Sequence, residues 1–389
     1  MSRLADSISY EFKIGFTLGK GEEALPSPHI LRLNALQQER WARIVWEDAM
    51  TFLESAQRLK VSCAVVAVGA ISLILAGAVS AQEYTARLSV HWGPTHHSAI
   101  HAKMFADEVN KRADRRLRID YFPSGQLFGI REQLGAVTSG AIEMGGIVAV
   151  VSFPPINKNF NVVSITGMFD SYGEQRAFFQ DDPTGKAVWD DITTKSDSVL
   201  LMYDPVGPVM TFSSQELNGV KSMSGLKARA LIGAERPMWE ALGANTVSMP
   251  TGEVYSGLQT GMIDTINSPP GSIRAFSWWE YLTHGQKPYQ YYADAYIMAN
   301  KTWFNGLPQD LQQLLIDVGQ EVGQISTDEI LKTGEETLAE FQERGGIVTE
   351  LEGDALAEFN TLMSDKVMPV IAETVDADVI AAASAFAAN

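Results

Sequence analysis

From Ala86 onward the apolar positions switch repeatedly between a period of two and a period near 3.6 residues, the signatures of strand and helix. Residues 87–92 predict a strand ending in the Gly93-Pro94 turn. Residues 98–112 carry Ile100, Met104, Phe105 and Val109 at helical spacing, with Ser98 as the expected N-cap. Residues 117–122 alternate and are turned by Pro123-Ser124-Gly125. A helix over 130–138 and a buried strand over 143–151 follow. Next come helices over 172–180 and 184–194 and strands over 198–203 and 209–212. Between Gly225 and Pro269 the units shorten to a strand over 226–231, a helix over 235–242, a strand over 246–249 and a helix over 252–261 opened by Thr251. A helix over 272–282 and a strand over 291–298 precede a long helical region, 307–344, punctuated by Gly319, Gly323 and Gly334. A strand over 347–351 and a helix from 354 to about 375 close the pattern, and the Ala-rich 381–389 is expected to fray. This order predicts an α/β protein with mainly parallel sheets covered by helices on both faces. With 389 residues, about two domains are expected. No Pro-, Gly- or Ser-rich linker separates them, so strands are expected to cross between two lobes and leave a hinge and a cleft.

The N-terminal part reads differently. Arg58 and Lys60 precede an apolar run over 61–79, and Val79-Ser80-Ala81 supplies small residues before Gln82. Basic, apolar and small-residue regions in this order predict a signal peptide over 50–81, cleaved after Ala81. A run of this length could also serve as an anchor helix. Residues 1–49 stand ahead of the Met50 that would open the signal, and are expected to be an upstream extension without a fold. Gly15, Gly19, Lys20 and Gly21 mimic a phosphate loop without its spacing or its following Ser/Thr, and receive no function.

Charge and cysteine narrow the class. The net charge of −17 falls on residues 82–389, which hold 22 Lys+Arg against 39 Asp+Glu. That balance argues against a nucleic-acid partner, though not against a small anion held by a local arginine. The single cysteine, Cys63, lies inside the apolar run, so the mature chain has neither disulfide nor thiol chemistry. Beyond residue 82 there is no G-x-S-x-G, H-E-x-x-H, C-x-x-C or G-x-G-x-x-G, and no cofactor or enzymatic activity is expected. His97 and His101, with His91 and His96 nearby, have a spacing compatible with zinc but lack local carboxylate or thiolate partners. His96 or His97 lining a cleft is the stronger reading, because their loop follows a strand end. Trp92 has two readings, core packing or a wall for a ligand body. Trp278 and Trp279 read as packing residues, and Phe122, Phe128, Tyr255 and Phe276 as core.

One residue breaks the apolar pattern most sharply. Arg229 sits inside the strand 226–231, where an unpaired charge is costly to bury. Either it pairs internally, with Glu235 or Glu253 as candidates, or its planar fork receives an anionic ligand.

Several segments together resemble a known family. They are Phe122-Pro123-Ser124-Gly125-Gln126-Leu127, Gly140-Ala141-Ile142-Glu143-Met144, Ser224-Gly225-Leu226-Lys227-Ala228-Arg229, Ala241-Leu242-Gly243-Ala244, the run from Glu253 to Gly261, Asp264, and Trp303 through Pro308. From about Tyr84 to Val375 the chain resembles the extracytoplasmic solute-binding proteins of tripartite ATP-independent periplasmic (TRAP) transporters. The resemblance implies a two-lobed periplasmic-binding-protein-like fold. Lobe I would comprise 82–206 plus about 299–334, and lobe II 207–298 plus about 335–375, with 376–389 a frayed tail. It also implies that Arg229 clamps a ligand carboxylate. Asn267 or Ser268 is implied as a further contact; Thr251, Trp92 and His97 are expected ligand-binding residues on the reading of the residues themselves. A second arginine that some sugar-acid binders carry is absent here, where the matching strand reads Pro208-Val209-Met210-Thr211. The expected ligand is therefore a small organic monoanion with an apolar or aromatic body, a monocarboxylate or alternatively a sulfonate. The expected partners are that ligand and the TRAP membrane permease subunits. The protein is expected as a monomer in the periplasm, with a signal-anchored sensor as the rival class.

Overall fold

The computed structural model describes residues 84–388. The signal peptide read over 50–81 and the stretch 1–49 lie outside the described residues.

Among the described residues nine strands form one sheet: β1 (Tyr84–Ser89), β2 (Leu117–Phe122), β3 (Met144–Val148), β4 (Ser198–Ser213), β5 (Lys227–Ala230), β6 (Asn245–Ser248), β7 (Thr265–Ser268), β8 (His284–Asn300) and β9 (Ile347–Glu350). Their order is β2-β1-β3-β8-β4-β7-β5-β6, with β9 on the free part of β8. The β1–β2, β1–β3, β5–β6, β5–β7 and β8–β9 pairs are parallel. Of the four pairs that involve the long strands β4 and β8, the other three, β3–β8, β4–β7 and β4–β8, are antiparallel. The sheet is thus mixed rather than mainly parallel, because β4 and β8 serve both halves of it.

These two strands explain the two-lobed shape. Residues 198–204 of β4 pair with 295–300 of β8 beside β3, and 209–213 pair with 284–291 beside β7. Between them the register shifts at Pro205/Gly207 and again at Val209/Thr211. Pro205 and Pro208 cannot donate to a ladder, and the bulges give them positions where no donor is needed. Gly207 has φ of 133°, and a Cβ there would stand 2.7 Å from Cβ of Pro269. Two buried clusters fill the interior, and the larger runs past this crossing to Ala228, Met238 and Trp239. The larger includes Leu88, Phe105, Met144, Phe153 and Phe178, and the smaller Phe212, Met249, Ile266, Trp278 and Phe341.

Thirteen α-helices cover the sheet among the described residues, of which five matter for the site: α1 (His97–Arg112), α6 (Glu235–Ala241), α7 (Val254–Gln259), α8 (Pro270–Ala275) and α10 (Gln309–Glu343). α1 buries Ala99, Ala102, Phe105, Ala106 and Val109 at three- and four-residue steps, and carries Lys111 and Arg112 at its C-terminal end, where cations oppose the helix dipole. Its cap is His96, whose Nδ1 accepts from Ser98 N at 3.1 Å, rather than Ser98 itself. α10 is continuous across its glycines. A Cβ on Gly319 would lie 2.0 Å from the Leu201 carbonyl oxygen, and one on Gly323 2.8 Å from that of Tyr203, while Gly334 faces open space. The first two glycines let the helix lie directly on the β4 backbone. One turn later Ser326 Oγ donates to Asp204 Oδ1 at 2.5 Å. The Ala-rich stretch expected to fray is helical over Ala377–Ala387, burying Val379 and Ala383, with Phe386 edge-on to Phe178 at 5.9 Å.

Candidate functional site

Arg229 is the third residue of β5, in register with Val247 of β6 and Ile266 of β7. Its backbone is pinned by Trp239 of α6, whose Nε1 donates to the Arg229 carbonyl at 3.0 Å. The side chain is 2% exposed. Nε donates to the Met249 carbonyl and one terminal nitrogen to Thr251 Oγ1, both at 3.0 Å, and the guanidinium carbon stands 6.0 Å from the Trp278 ring. Burial lowers its pKa to about 10, so the group is cationic at neutral pH. A guanidinium has five N–H donors, and only two have protein acceptors among the described residues.

The internal ion pair considered for Arg229 does not form. Glu235 accepts from Leu231 N at 2.7 Å and from the Tyr291 hydroxyl at 3.0 Å. It touches Arg229 only through the longer-range field that each exerts on the other. Glu253 is exposed and makes no pair with it. A buried cation without a counter-ion is costly, and that cost is the physical mark of this site.

Strand register separates the two polar candidates of β7. Arg229 pairs with Ile266, and side chains alternate along a strand, so Ser268 shares the Arg229 face and Asn267 points to the other. Asn267 accepts from Thr211 Oγ1 at 3.1 Å and packs its amide nitrogen against Met238 Sδ at 3.7 Å. Ser268 Oγ donates to the Pro269 carbonyl at 3.1 Å. Thr251 is next to the guanidinium, as described above.

Trp92 and His97 lie in an aromatic cluster where the loop before α1 meets α8. Trp92 is 4% exposed and covers Gly146 of β3, whose Cβ would stand 2.8 Å from the indole. The Trp92 and His96 rings are 5.6 Å apart, and those of His96 and His97 4.3 Å. His96 Nε2 donates to Ser272 Oγ at 3.0 Å, the tautomer being set by its capping Nδ1. His97 packs on Gly271 and leaves Nε2 without a protein partner. His101 and Ser326 both bind Asp204 Oδ1, so the Ser, His and Asp present here brace β4 instead of forming a nucleophile–base pair. Burial disfavours the His101 charge, but Asp204 and Glu329 outweigh it and leave the pKa raised. Among the described residues no cluster is arranged to hold a metal.

Burial lowers the His97 pKa from 6.5 to about 4; Asp204 and the Pro205 carbonyl oppose that shift, while His101 and Arg274 add to it. A lowered histidine pKa means that this ring favours the folded state fully above the ordinary value, and the advantage is lost as pH falls toward 4. Between pH 8 and pH 5 the stability difference between the native protein and His97→Gln is expected to shrink by about 2 kcal/mol. Urea unfolding at both pH values checks this, and a constant difference would mean that the ring charges without disturbing the contact.

Three cavities lie in this part of the molecule; Arg229 lines none of them, and its partner Thr251 lines the second. One of about 670 Å³ is lined by Val150, Pro154, Arg131, Ile232, Ala234 and Arg236. A second, about 380 Å³, lies between His91, Ser124, Arg131, Glu132, Thr251 and Glu253. Arg131 borders both and donates to the Leu231 carbonyl at 3.0 Å, linking the loop before α2 (Gln133–Thr138) to that after β5. His91 is held neutral, its pKa pushed down to about 3 by burial and by Arg229. A third, about 10 Å³, shares Ile232 and Ala234 with the first and is lined further in by Ser164, Glu235, Asn267 and Gln290. Ser164 and Gln290 left no signal in the sequence pattern: an isolated hydroxyl and amide have no characteristic spacing, and Gln290 fell just before the expected strand. Arg131, by contrast, could have been noticed as a cation within the Gly125–Gly135 turn region.

Comparison with known proteins gives the family. Residues 88–374 match the model of DctP, bacterial extracellular solute-binding protein, family 7. The C4-dicarboxylate-binding periplasmic protein DctP of Rhodobacter capsulatus is 25% identical over 334 residues, 84% of this chain and 98% of that one. The 2,3-diketo-L-gulonate-binding periplasmic protein YiaO of Escherichia coli is 24% identical over 266 residues, 67% of this chain and 79% of that one. Among solved structures, DctP7, a Bordetella pertussis extracytoplasmic solute receptor binding pyroglutamic acid, superposes with a TM-score of 0.71 at 18% identity over 78% of this chain and 99% of its own. The sugar acid binding protein DctPAm of Advenella mimigardefordensis, in complex with galactonate, gives 0.73 at 18% identity over 79% and 98%. The matched span holds β4, β8, Arg229 and all three cavities, and on this ground the chain belongs to the DctP-type family of TRAP transporter solute-binding proteins.

Proposed function

We propose that this protein captures a small organic acid with one anionic group and passes it to a TRAP membrane permease. The anion pairs with Arg229 while the cleft is open, and closure about β4 and β8 then excludes water and strengthens the pair. The observation that carries this reading is a buried guanidinium with two of its five donors used and no carboxylate beside it. The named ligands of the relatives, a C4-dicarboxylate, 2,3-diketo-L-gulonate, pyroglutamic acid and galactonate, are all carboxylic acids. Met210 and Thr211 stand where a second strand arginine could have stood beside Arg229, which favours a monocarboxylate over a dianion. The periplasmic names of the relatives and the export signal read in the sequence favour a periplasmic location.

A thermal-shift screen of organic acids, each beside its primary amide, tests the reading, because a ligand that binds only the native state raises the melting midpoint. At a concentration of about 100 Kd, the binding acid is expected to add about 2.7 kcal/mol, and its amide none. Equal shifts for acid and amide would remove the anion clamp. A shift with sulfonates alone would keep the clamp and replace the carboxylate.

A further inference from the structure

Arg131 lies in the loop after β2 and Leu231 in the loop after β5, and β8 and β4 stand between those strands in the sheet. Among the described residues, three side-chain hydrogen bonds join the segments after β1 and β2 to those after β5 and β7. Two are neighbours: Thr95 Oγ1 donates to the Ala275 carbonyl at 3.2 Å, and His96 Nε2 to Ser272 Oγ at 3.0 Å. His96 is buried there, its ring 5.7 Å from that of Phe276. The third, from Arg131 to the Leu231 carbonyl at 3.0 Å, stands apart. Arg131 is exposed, and it is the one residue common to the linings of the 670 Å³ and 380 Å³ cavities. Each cavity takes its walls from both sides. Val150 and Pro154 face Ile232 and Ala234 in the first, and Ser124 and Glu132 face Pro250 and Glu253 in the second. The guanidinium therefore crosses the cleft between the two cavities.

Both ends of this bond are fixed. Leu231 N donates to Glu235 Oε2 at 2.7 Å, and the Tyr291 hydroxyl of β8 donates to Glu235 Oε1 at 3.0 Å. On the other side Ile130 is buried, and Gln133 Nε2 donates to the Phe128 carbonyl at 2.9 Å and to Ser89 Oγ of β1 at 3.1 Å. The Leu231 carbonyl is the only hydrogen-bond partner of the Arg131 side chain among the described residues. An exposed bond of this kind can part readily, because both groups then bond water, whereas the buried His96–Ser272 contact would leave its groups unpaired. We propose that Arg131 is a positioning residue that straps the cleft shut, holding the loop after β2 to the loop after β5 and slowing both entry and release of the acid. The proposal rests on the reading of β4 and β8 as the hinge of a closing cleft, and names the protein group that holds the closed form. Since both partners belong to the protein, the strap forms with or without an acid in place. A charge-assisted bond made only in the closed form favours it by about tenfold.

Pulsed electron-resonance distances in the ligand-free protein test this, with nitroxides on Gln126→Cys and Glu240→Cys, exposed positions on the two sides of the cleft. Cys63→Ala removes the only native cysteine. The protein with Arg131 intact is expected to show a short and a long distance. Arg131→Ala is expected to lower the ratio of short to long populations by about tenfold. Arg131→Lys, whose ammonium can still donate to a carbonyl, is expected to recover part of it. The circular dichroism of Arg131→Ala is expected to match that of the native protein, because an exposed side chain is being removed. A single distance shared by both proteins would overturn the strap, and so would an unchanged ratio. A shift that comes with partial unfolding in the same buffer would overturn it as well, since Arg131 would then hold the fold and not the cleft. The thermal-shift screen reports separately. Melting shifts with acids and no change of distance would keep the clamp and remove the strap, and a change of distance with no binding acid would do the reverse.

Discussion

Replacing Arg229 with alanine is expected to weaken binding of the cognate acid by about 2–5 kcal/mol, roughly 30-fold to several thousandfold. In the variant the ligand anion would be buried against the Met249 carbonyl and Thr251 Oγ1, both of which now accept from the guanidinium. The Met249 carbonyl, an acceptor only, would then face the carboxylate, which makes the loss larger than that of one contact, while the Thr251 hydroxyl can turn to donate. Lysine at the same position is expected to recover only part of it, since a point charge cannot make the two parallel bonds of the fork. The ligand-free protein should behave in the opposite way. Removing a buried cation that lacks a counter-ion relieves a desolvation cost, so the unfolding free energy is expected to hold or rise. Titration calorimetry and denaturant unfolding of the same sample separate the two effects. Unchanged affinity would show that the acid binds elsewhere.

The second large effect concerns folding. Gly319→Ala is expected to destabilise the protein by about 3 kcal/mol, at the upper end for overpacking. The added methyl would meet the Leu201 carbonyl at 2.0 Å, and that backbone is held on either side by Leu200 and Met202, which both pair with β8. The intrinsic helix preference of alanine, about 1 kcal/mol over glycine, offsets only part of the clash. Gly334, in the same helix and facing open space, isolates that preference: Gly334→Ala is expected to stabilise by about 0.5–1 kcal/mol. Chemical denaturation of both variants gives the comparison. Equal and small effects would show that α10 moves off β4 without cost.

Much of the architecture was legible before any coordinates, and the exceptions have particular causes. Short amphipathic units such as 98–112 announce themselves because one face of each meets a core. β4 was read as two strands because Pro205, Gly207 and Pro208 look like a break; the register shifts of the bulge absorb them instead. The parallel order expected from strand-helix alternation was overruled where β4 and β8 pass from one lobe to the other. The Ala-rich end was expected to fray on composition, yet Phe386, Val379 and Ala383 give it a buried face. Within the site, Arg229 stood out because a charge in an apolar strand needs a reason. Which of Asn267 and Ser268 shares its face depended on register, which a lone sequence does not contain. Gln290 and Ser164 were silent because an amide and a hydroxyl become informative only when burial leaves them without partners.

The continuity of α10 gives the molecule a lever. Leu311, Leu315, Val318, Val322 and Ile330 are set in the larger core, Leu338 and Phe341 in the smaller. The 35 residues make a rod of about 52 Å at 1.5 Å per residue. Held on β4 at Gly319 and Gly323, the rod runs on past Ser326 for roughly 25 Å by the same rise, packed through Ile330, Leu338 and Phe341. A change of curvature of about 10° at the clamp, within what long helices accommodate without a kink, swings the far end by about 4 Å, the width of a small acid. If the cleft closes on its ligand as proposed, this helix is an element that can bend with it, where its glycines hold it against the strand.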